Sequence, residues 1–139
     1  MLGDNAIYGQ FELTIDDKNR VIIPAKTGVE KGEEIVIYTE NGDRYIDDKK
    51  RYTKKIQKIL DRIENPMDLK QYKKDLELMR YFSDAILTDV TVDGSHRIRI
   101  TDIEDIRGNN TLEVCGAGNR LRIVNATKAY KKKTRLKKA

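Results

Sequence analysis

The chain has 139 residues, of which 38% are hydrophobic and 37% charged, and its formal net charge is +5. That length suits one ordinary domain or two very small ones, with a small core shared between repeats or between subunits. The chain lacks a run of about 18 apolar residues, so we expect no membrane span. Residues 1–10 do not resemble a secretory signal, and a single cysteine with a single histidine excludes an intrachain disulfide and a structural zinc site.

The first predicted elements form a β-rich unit. Residues 11–16 alternate in polarity and end in Asp16, three polar residues follow, and Arg20 opens the apolar stretch 20–23. Pro24 could occupy the first position of a short helical turn. Residues 34–38 and 44–46 then read as two strands joined at Asn41 and Gly42, a dipeptide typical of hairpins because both positions tolerate positive φ.

Residues 47–83 change to helical periodicity and predict a helical hairpin. Asp47 or Asp48 could cap the first helix, and Asn65 could end it and cap the second, with Pro66 in its first turn. The predicted apolar stripes are Tyr52, Ile56, Ile59, Leu60 and Ile63 on one helix and Leu69, Tyr72, Leu76, Met79 and Phe82 on the other. The lysines at 49, 50, 54, 55 and 58 are interpreted as a solvated face, because acidic residues lie nearby.

A second copy of the first pattern follows at a spacing of 77 residues. Residues 87–93 alternate and end in Asp93, and Arg97 opens the apolar stretch 97–100. Thr101 to Gly108 fits a capped helical connector. Residues 111–115 and 120–124 then predict a second hairpin, with Gly116 and Gly118 as turn residues. Cys115 lies in an apolar strand, where a buried thiol is the usual state.

The last residues form a basic tail. Residues 128–138 contain seven cations and no acid, so the remainder of the chain carries a net charge of about −2. Such a tail is typically mobile and adds sequence-independent attraction to polyanions. Specific recognition must therefore come from the folded body.

The repeated Asp-x-x-x-Arg turns are the candidate recognition elements. Each aspartate can accept backbone N–H groups and stiffen its turn, and each arginine can make bidentate bonds to guanine. Lys18, Asn19, Ser95 and His96 have the right chemistry for neighbouring base or phosphate contacts. If residues 97–100 form a strand, Arg97 and Arg99 share a face opposite Ile98 and Ile100, where the first repeat offers Arg20 and Ile22. Two similar units in one chain also predict a pseudo-twofold arrangement.

Residues 8–24, 80–83 and 93–100 resemble the MraZ family of bacterial transcriptional regulators, and the resemblance extends to about Val124. The doubled Asp-x-x-x-Arg motif is its most specific part. The family usually has glycine before the motif arginine, where this chain has Asn19 and His96, and a proline where the second repeat has Thr101. Asparagine tolerates positive φ better than histidine does.

The resemblance implies an α+β fold: two pseudo-twofold-related AbrB-like (swapped-hairpin) units forming a small barrel-like β core, with the helical hairpin between them. The divisions are 8–46 for the first unit, 47–83 for the hairpin, 84–124 for the second unit and 125–139 for the tail.

The resemblance also implies a function, that of a cytoplasmic, nucleoid-associated regulator of the division and cell-wall gene cluster. It would bind tandem short G-rich boxes in double-stranded promoter DNA as a ring, an octamer or similar. Arg20 and Arg97 would be the principal DNA-contacting residues, Lys18, Asn19, Ser95, His96 and Arg99 would assist, and Asp16 and Asp93 would shape the loops. No cofactor, metal, small-molecule substrate or membrane partner is expected.

Two other functions are compatible with the sequence. Related swapped-hairpin units neutralise toxins, although that role generally needs an acidic or apolar tail and this tail is basic. Structured RNA is a second alternative partner, but aromatic residues for base stacking are few and mostly occupy apolar stripes. Catalysis is not expected, because Ser95 beside His96 and the aspartate pairs do not form a catalytic group by proximity in sequence alone.

Overall fold

The computed structural model describes residues 1–100 and 110–124, and in these residues the chain has an α+β fold. A 3-10 turn spans Ala25–Thr27, and the helices are α1 (Lys49–Glu64) and α2 (Leu69–Ala85). The strands are β1 (Gln10–Thr14), β2 (Arg20–Ile22), β3 (Glu34–Glu40), β4 (Asp43–Asp48), β5 (Ile86–Thr91), β6 (Arg97–Arg99), β7 (Thr111–Ala117) and β8 (Arg120–Ile123). The α+β class predicted from the sequence is confirmed.

The strands form one open antiparallel sheet and a separate two-stranded ribbon. The large sheet has the order β1-β7-β8-β4-β3-β5, and β2 pairs only with β6. Within the described residues β1 and β5 remain the two edges of the large sheet, so the expected barrel does not close. The sheet joins the repeats directly, because β1 of the first repeat pairs with β7 of the second and β5 pairs with β3.

The pairing registers repeat when every residue number is advanced by 77. Thr14 pairs with Thr111, and the shifted partners Thr91 and Glu34 pair in the same way. In two further strand pairs, residues 77 positions apart face each other directly: Val21 faces Ile98 in the ribbon, and Tyr45 faces Arg122 in the sheet. Each of these strand pairs is therefore related to itself by the same shift. A register shift between Ile37 and Tyr38, opposite β5, is where the copies differ. The hydrophobic alternation that both repeats carry therefore specifies the same strand pairing twice.

Alternating apolar residues of the strands fill the main core. Its fully buried members include Ile35, Ile37, Ile46, Leu112, Val114, Leu121 and Ile123 from the sheet, and Val21 and Ile98 from the ribbon. Because residues from both repeats interleave in one cluster, neither repeat has a core of its own.

The helices begin at aspartate caps. The Asp48 carboxylate accepts a hydrogen bond from the Arg51 amide at 2.9 Å, and Asp68 accepts one from the Gln71 amide at 2.7 Å. The prediction that Asn65 caps the second helix is wrong: Asn65 closes α1, where its backbone N–H bonds to the carbonyl oxygen of Asp61. A carboxylate cap three residues later satisfies the first free amides of α2 instead.

A second apolar cluster joins the helices to the other side of β3. It consists of Val36, Tyr38, Tyr52, Ile59 and Phe82, with Tyr45, Ile56, Ile63 and Met79 packed around it. Four members of the predicted stripes do not belong to it: Leu60 and Tyr72 are half-buried, Leu69 is 67% exposed and Leu76 is 43% exposed. The buried residue one helical turn before Met79 is instead Asp75, whose carboxylate binds the Arg62 guanidinium at 2.9 Å.

Two tyrosine hydroxyls in this cluster have opposite environments. Tyr38 accepts a hydrogen bond from Arg120 Nη1 at 2.7 Å and donates one to Asp47 Oδ2 at 3.4 Å. The Tyr52 hydroxyl is buried and has no hydrogen-bond partner among the residues that the structure describes. Burial raises the pKa of Tyr38, and it raises the pKa of Tyr52 to about 12.

Most turn predictions hold, with two corrections. Asn41 and Gly42 both have positive φ and join β3 to β4, as expected. Pro24 precedes the 3-10 turn as its cap and is not its first residue. Gly116 lies within β7, where a Cβ would fall 1.9 Å from the Ile7 carbonyl oxygen, so close backbone approach explains this glycine.

Four further predictions have different outcomes. Cys115 is a free thiol that is half-buried, less than expected for an apolar strand. The connector predicted from Thr101 to Gly108 and the basic tail lie outside the described residues. No helix in the described ranges has the length and apolarity to cross a bilayer.

Candidate nucleic-acid interface

The first Asp-x-x-x-Arg turn is held by the Asp16 carboxylate. Oδ1 accepts hydrogen bonds from the Lys18 amide at 2.9 Å and the Arg20 amide at 2.8 Å, and Oδ2 accepts one from Arg20 Nε at 2.9 Å. The Asp16 amide closes the turn by donating to the Arg20 carbonyl oxygen at 2.9 Å. One carboxylate therefore fixes both the backbone of the turn and the direction of the arginine side chain.

The second turn reproduces this arrangement. Asp93 Oδ1 accepts hydrogen bonds from the Ser95 and Arg97 amides, and Oδ2 accepts one from Arg97 Nε, all at 2.9 Å. The Asp93 amide donates to the Arg97 carbonyl oxygen at 3.0 Å. The loop-shaping role predicted for both aspartates agrees with these contacts.

The residue before each motif arginine has a left-handed backbone. Asn19 and His96 both have φ of 59°. Their carbonyl oxygens accept hydrogen bonds from the opposite repeat: Asn19 from the Ile100 amide at 2.8 Å, and His96 from the Ile23 amide at 2.9 Å. These bonds explain how two residues other than glycine keep the geometry that glycine adopts at lower cost.

Both turn aspartates are favoured in the charged form. Partial burial alone would raise the pKa of Asp16, but hydrogen bonds from Arg20 and Lys18 outweigh it and lower that pKa. For Asp93 the hydrogen bond from the Arg97 amide is the strongest influence, and its pKa is also lowered. The turns therefore hold their carboxylate–guanidinium pairs throughout the neutral pH range.

Each motif arginine keeps part of its guanidinium available. The side chains of Arg20 and Arg97 are 20% and 30% exposed, and Nε is the atom that binds the aspartate in each case. Within the described residues the two Nη groups make no further hydrogen bond or ion pair. A planar fork of donors on a stiff turn is the arrangement that recognises two acceptors at once.

The arginines meet on the outer face of the β2–β6 ribbon. Val21 and Ile98 point into the core, so the alternating residues Arg20 and Ile22 on β2 and Arg97 and Arg99 on β6 share the other face. The predicted placement of Arg97 and Arg99 opposite Ile98 and Ile100 is confirmed, since both isoleucines are buried. Arg20 pairs across the ribbon with Arg99, and Ile22 with Arg97.

The remaining predicted residues surround this face. Lys18 and Ser95 are exposed at the turn tips, and Asn19 and His96 are half-buried at the ends of the ribbon. The structure brings all nine predicted site residues to the ribbon and its two turns. By contrast, Lys49 and Lys55 of the helical lysine face are paired with Asp89 and Glu40, which agrees with the interpretation of that face as solvated.

One feature of this face was not predicted from the sequence, namely the pairing of β2 with β6, which brings both turns onto one ribbon. The 77-residue spacing relates Val21 to Ile98, but it does not by itself show that these two residues face each other. The position of Ile22 beside Arg20 on the outer face agrees with the predicted alternation, since Ile22 is exposed between the buried Val21 and Ile23.

No protein-family model matches the chain, and no curated protein is significantly similar to it.

Proposed function

We propose that the protein is a sequence-specific DNA-binding transcriptional regulator of the MraZ type, built from two pseudo-twofold-related AbrB-like units. The observation that carries the proposal is the outer face of the β2–β6 ribbon, where three arginines lie between two aspartate-braced turns. A two-stranded ribbon is one of the two elements that fit into the major groove, and arginine is the side chain most often used there to contact guanine.

The ribbon geometry supports DNA as the ligand of this face more than it supports a small-molecule enzyme substrate. The face is polar, it presents donors on a rigid backbone, and the half-free guanidinium groups of Arg20 and Arg97 lack a carboxylate on their Nη side within the described chain. Bidentate donors placed in this way match the O6 and N7 acceptors of guanine. This geometry supports a guanine-containing DNA target, and the resemblance to the MraZ family implies that the target is a short G-rich box upstream of division and cell-wall genes.

Exposed apolar residues on α2 support self-association. Leu76 and Tyr81 line a groove of about 770 Å³, and Leu78 and Tyr81 line an adjacent one of about 470 Å³. Large apolar side chains grouped along one exposed helix typically mark an interface. We assign this side of α2 to contacts between copies of the chain in a ring, which would let several ribbons engage tandem boxes and raise the effective concentration.

The test is a fluorescence-anisotropy titration of the full chain against the duplex upstream of its own gene and against a scrambled duplex. Near-physiological salt keeps the basic tail from masking the difference. Arg20→Ala and Arg97→Ala should each weaken binding to the upstream duplex by about 1–3 kcal/mol for every guanine that the arginine bound. Binding to the scrambled duplex should change much less.

The control is Lys54→Ala, which removes one exposed cation from α1, away from the ribbon. It should leave the preference for the upstream duplex intact. Equal binding of the wild-type protein to both duplexes would refute the proposal, and tighter binding to a structured RNA than to the upstream duplex would replace it with RNA recognition.

A further inference from the structure

The two ends of the ribbon face are not equivalent. The 77-residue relation maps Arg20 onto Arg97, so these positions are identical, but it maps Ile22 onto Arg99, so these positions differ in charge and polarity. The backbone is therefore twofold symmetric at the face, whereas the side chains are not.

One end of the ribbon concentrates positive charge. Arg20 and Arg99 face each other directly across the strands, an arrangement of like charges that destabilises a sheet unless an anion lies between or above them. The hydrogen bond from the Ile100 amide to the Asn19 carbonyl oxygen holds the first turn against this end, which adds Lys18. This end thus carries Lys18, Arg20 and Arg99 against Asp16 and Asp17, whereas the other end carries Arg97 against Asp93.

The other end is apolar and less charged. Ile22 is 59% exposed and faces Arg97 across the ribbon. The bond from the Ile23 amide to the His96 carbonyl oxygen holds the second turn here, and that turn has Ser95 where the first turn has Lys18. A single exposed isoleucine is common on protein surfaces. This one lies in the plane of the arginines, on the surface that would enter the groove.

We propose that the ribbon reads its DNA box in one direction, an inference that rests on the proposed function. Ile22 contacts the 5-methyl group of a thymine at one end of the box. Lys18, Arg20 and Arg99 contact guanines and phosphates at the other end. Apolar contact with the thymine methyl is the standard way in which an aliphatic side chain distinguishes a base pair in the major groove.

The first test deletes single methyl groups from the DNA. In the upstream duplex each thymine is replaced in turn by deoxyuridine, and the affinity of the full chain is measured by anisotropy. We expect one position at which wild-type binding weakens about fourfold, the effect of burying one methyl group. Ile22→Ala should bind the two duplexes at that position equally, and Ile22→Val should keep most of the difference.

The second test changes the specificity at that same base pair. Ile22→Arg places an arginine at every position of the face, so the variant should prefer a G·C pair where the wild-type protein prefers T·A. The matched control is Ile22→Val, which should keep the T·A preference. Circular dichroism serves to check that each variant folds. Because Ile22 is exposed, we expect its substitutions to leave the fold intact.

The results of these experiments distinguish a failure of the proposed function from a failure of the inference about Ile22. If the wild-type protein does not distinguish the upstream from the scrambled duplex, the proposed function fails. If it does distinguish them but no deoxyuridine substitution weakens binding, or Ile22→Ala remains sensitive to the substitution, the inference about Ile22 is overturned while the function stands. An unchanged base preference in Ile22→Arg would likewise overturn it.

Discussion

The two tyrosine hydroxyls beneath the helices provide a matched test of how the second apolar cluster is stabilised. Both Tyr38 and Tyr52 are almost fully buried, and their rings lie 4.3 Å apart between centroids. Replacing either by phenylalanine removes one oxygen and leaves the ring packing in place. Any difference between the variants therefore reports on hydrogen bonding alone.

The two substitutions should change the free energy of unfolding in opposite directions. Tyr38→Phe removes the acceptor for the charged Arg120 donor, and hydrogen bonds to charged groups contribute about 1.5–3 kcal/mol. The 3.4 Å bond to Asp47 is at the limit of hydrogen-bond distance and adds little. Tyr52→Phe removes a buried hydroxyl that is shielded from water and has gained no partner in the described chain, so it should stabilise the protein by about 1 kcal/mol.

Urea unfolding followed by circular dichroism, at one fixed protein concentration, measures both changes. The midpoint should fall for Tyr38→Phe and rise for Tyr52→Phe, with the slope unchanged. On heating, the corresponding shifts are several degrees downward and about three degrees upward for a domain of this size. Equal destabilisation by both substitutions would refute the reasoning, because it would mean that the Tyr52 hydroxyl has a favourable interaction.

The remaining predictions concern the backbone and the turns. Gly116→Ala should lower the free energy of unfolding by about 1–3 kcal/mol, because its Cβ would meet the Ile7 carbonyl. The Cβ of Gly94→Ala would enter open space, so this control should change the free energy of unfolding by less than about 0.5 kcal/mol. Urea titrations compare the two variants. His96→Gly should raise the free energy of unfolding by about 0.5 kcal/mol by relieving a positive φ, and a lower value would show that the greater freedom of glycine in the unfolded chain outweighs the relieved strain. Asp16→Asn should lower the melting temperature at pH 7, and the difference in melting temperature from the wild type should narrow as the pH falls below about 4. The reason is that a carboxyl group with a lowered pKa stabilises the fold at pH values above the ordinary aspartate pKa and loses that effect when it is protonated. A difference that stays constant with pH would contradict the lowered pKa of Asp16.

Local patterns predicted the strands and helices well because the relevant forces are local. The alternation in residues 11–16 and 34–38, the Asn41–Gly42 turn and the Asp-x-x-x-Arg turns each depend on neighbouring residues alone. The spacing of 77 also predicted that the second repeat would copy the first, which the registers bear out.

What the sequence could not predict depends on contacts distant along the chain. The ribbon forms because β2 and β6 pair across the repeats, a choice made by the whole core. Asp75 is buried although it is charged, since Arg62 on the preceding helix reaches it. Gly116 resembled a turn residue because Gly118 follows two positions later, and only the approach of the Ile7 backbone shows why Gly116 lies in a strand.

The exchange of strands between the repeats also determines when the chain can complete its fold during synthesis. β1 and β4 find their partners in β7 and β8, so the first half leaves the ribosome with sheet edges that stay unpaired until the second half is made. Such edges attract other unpaired strands. A fragment of residues 1–85 should be cleaved rapidly by protease under conditions in which the full chain survives. The first half is therefore open to pairing with strands of other molecules until β7 and β8 have been made, an exposure that a chain of two self-contained domains would not have.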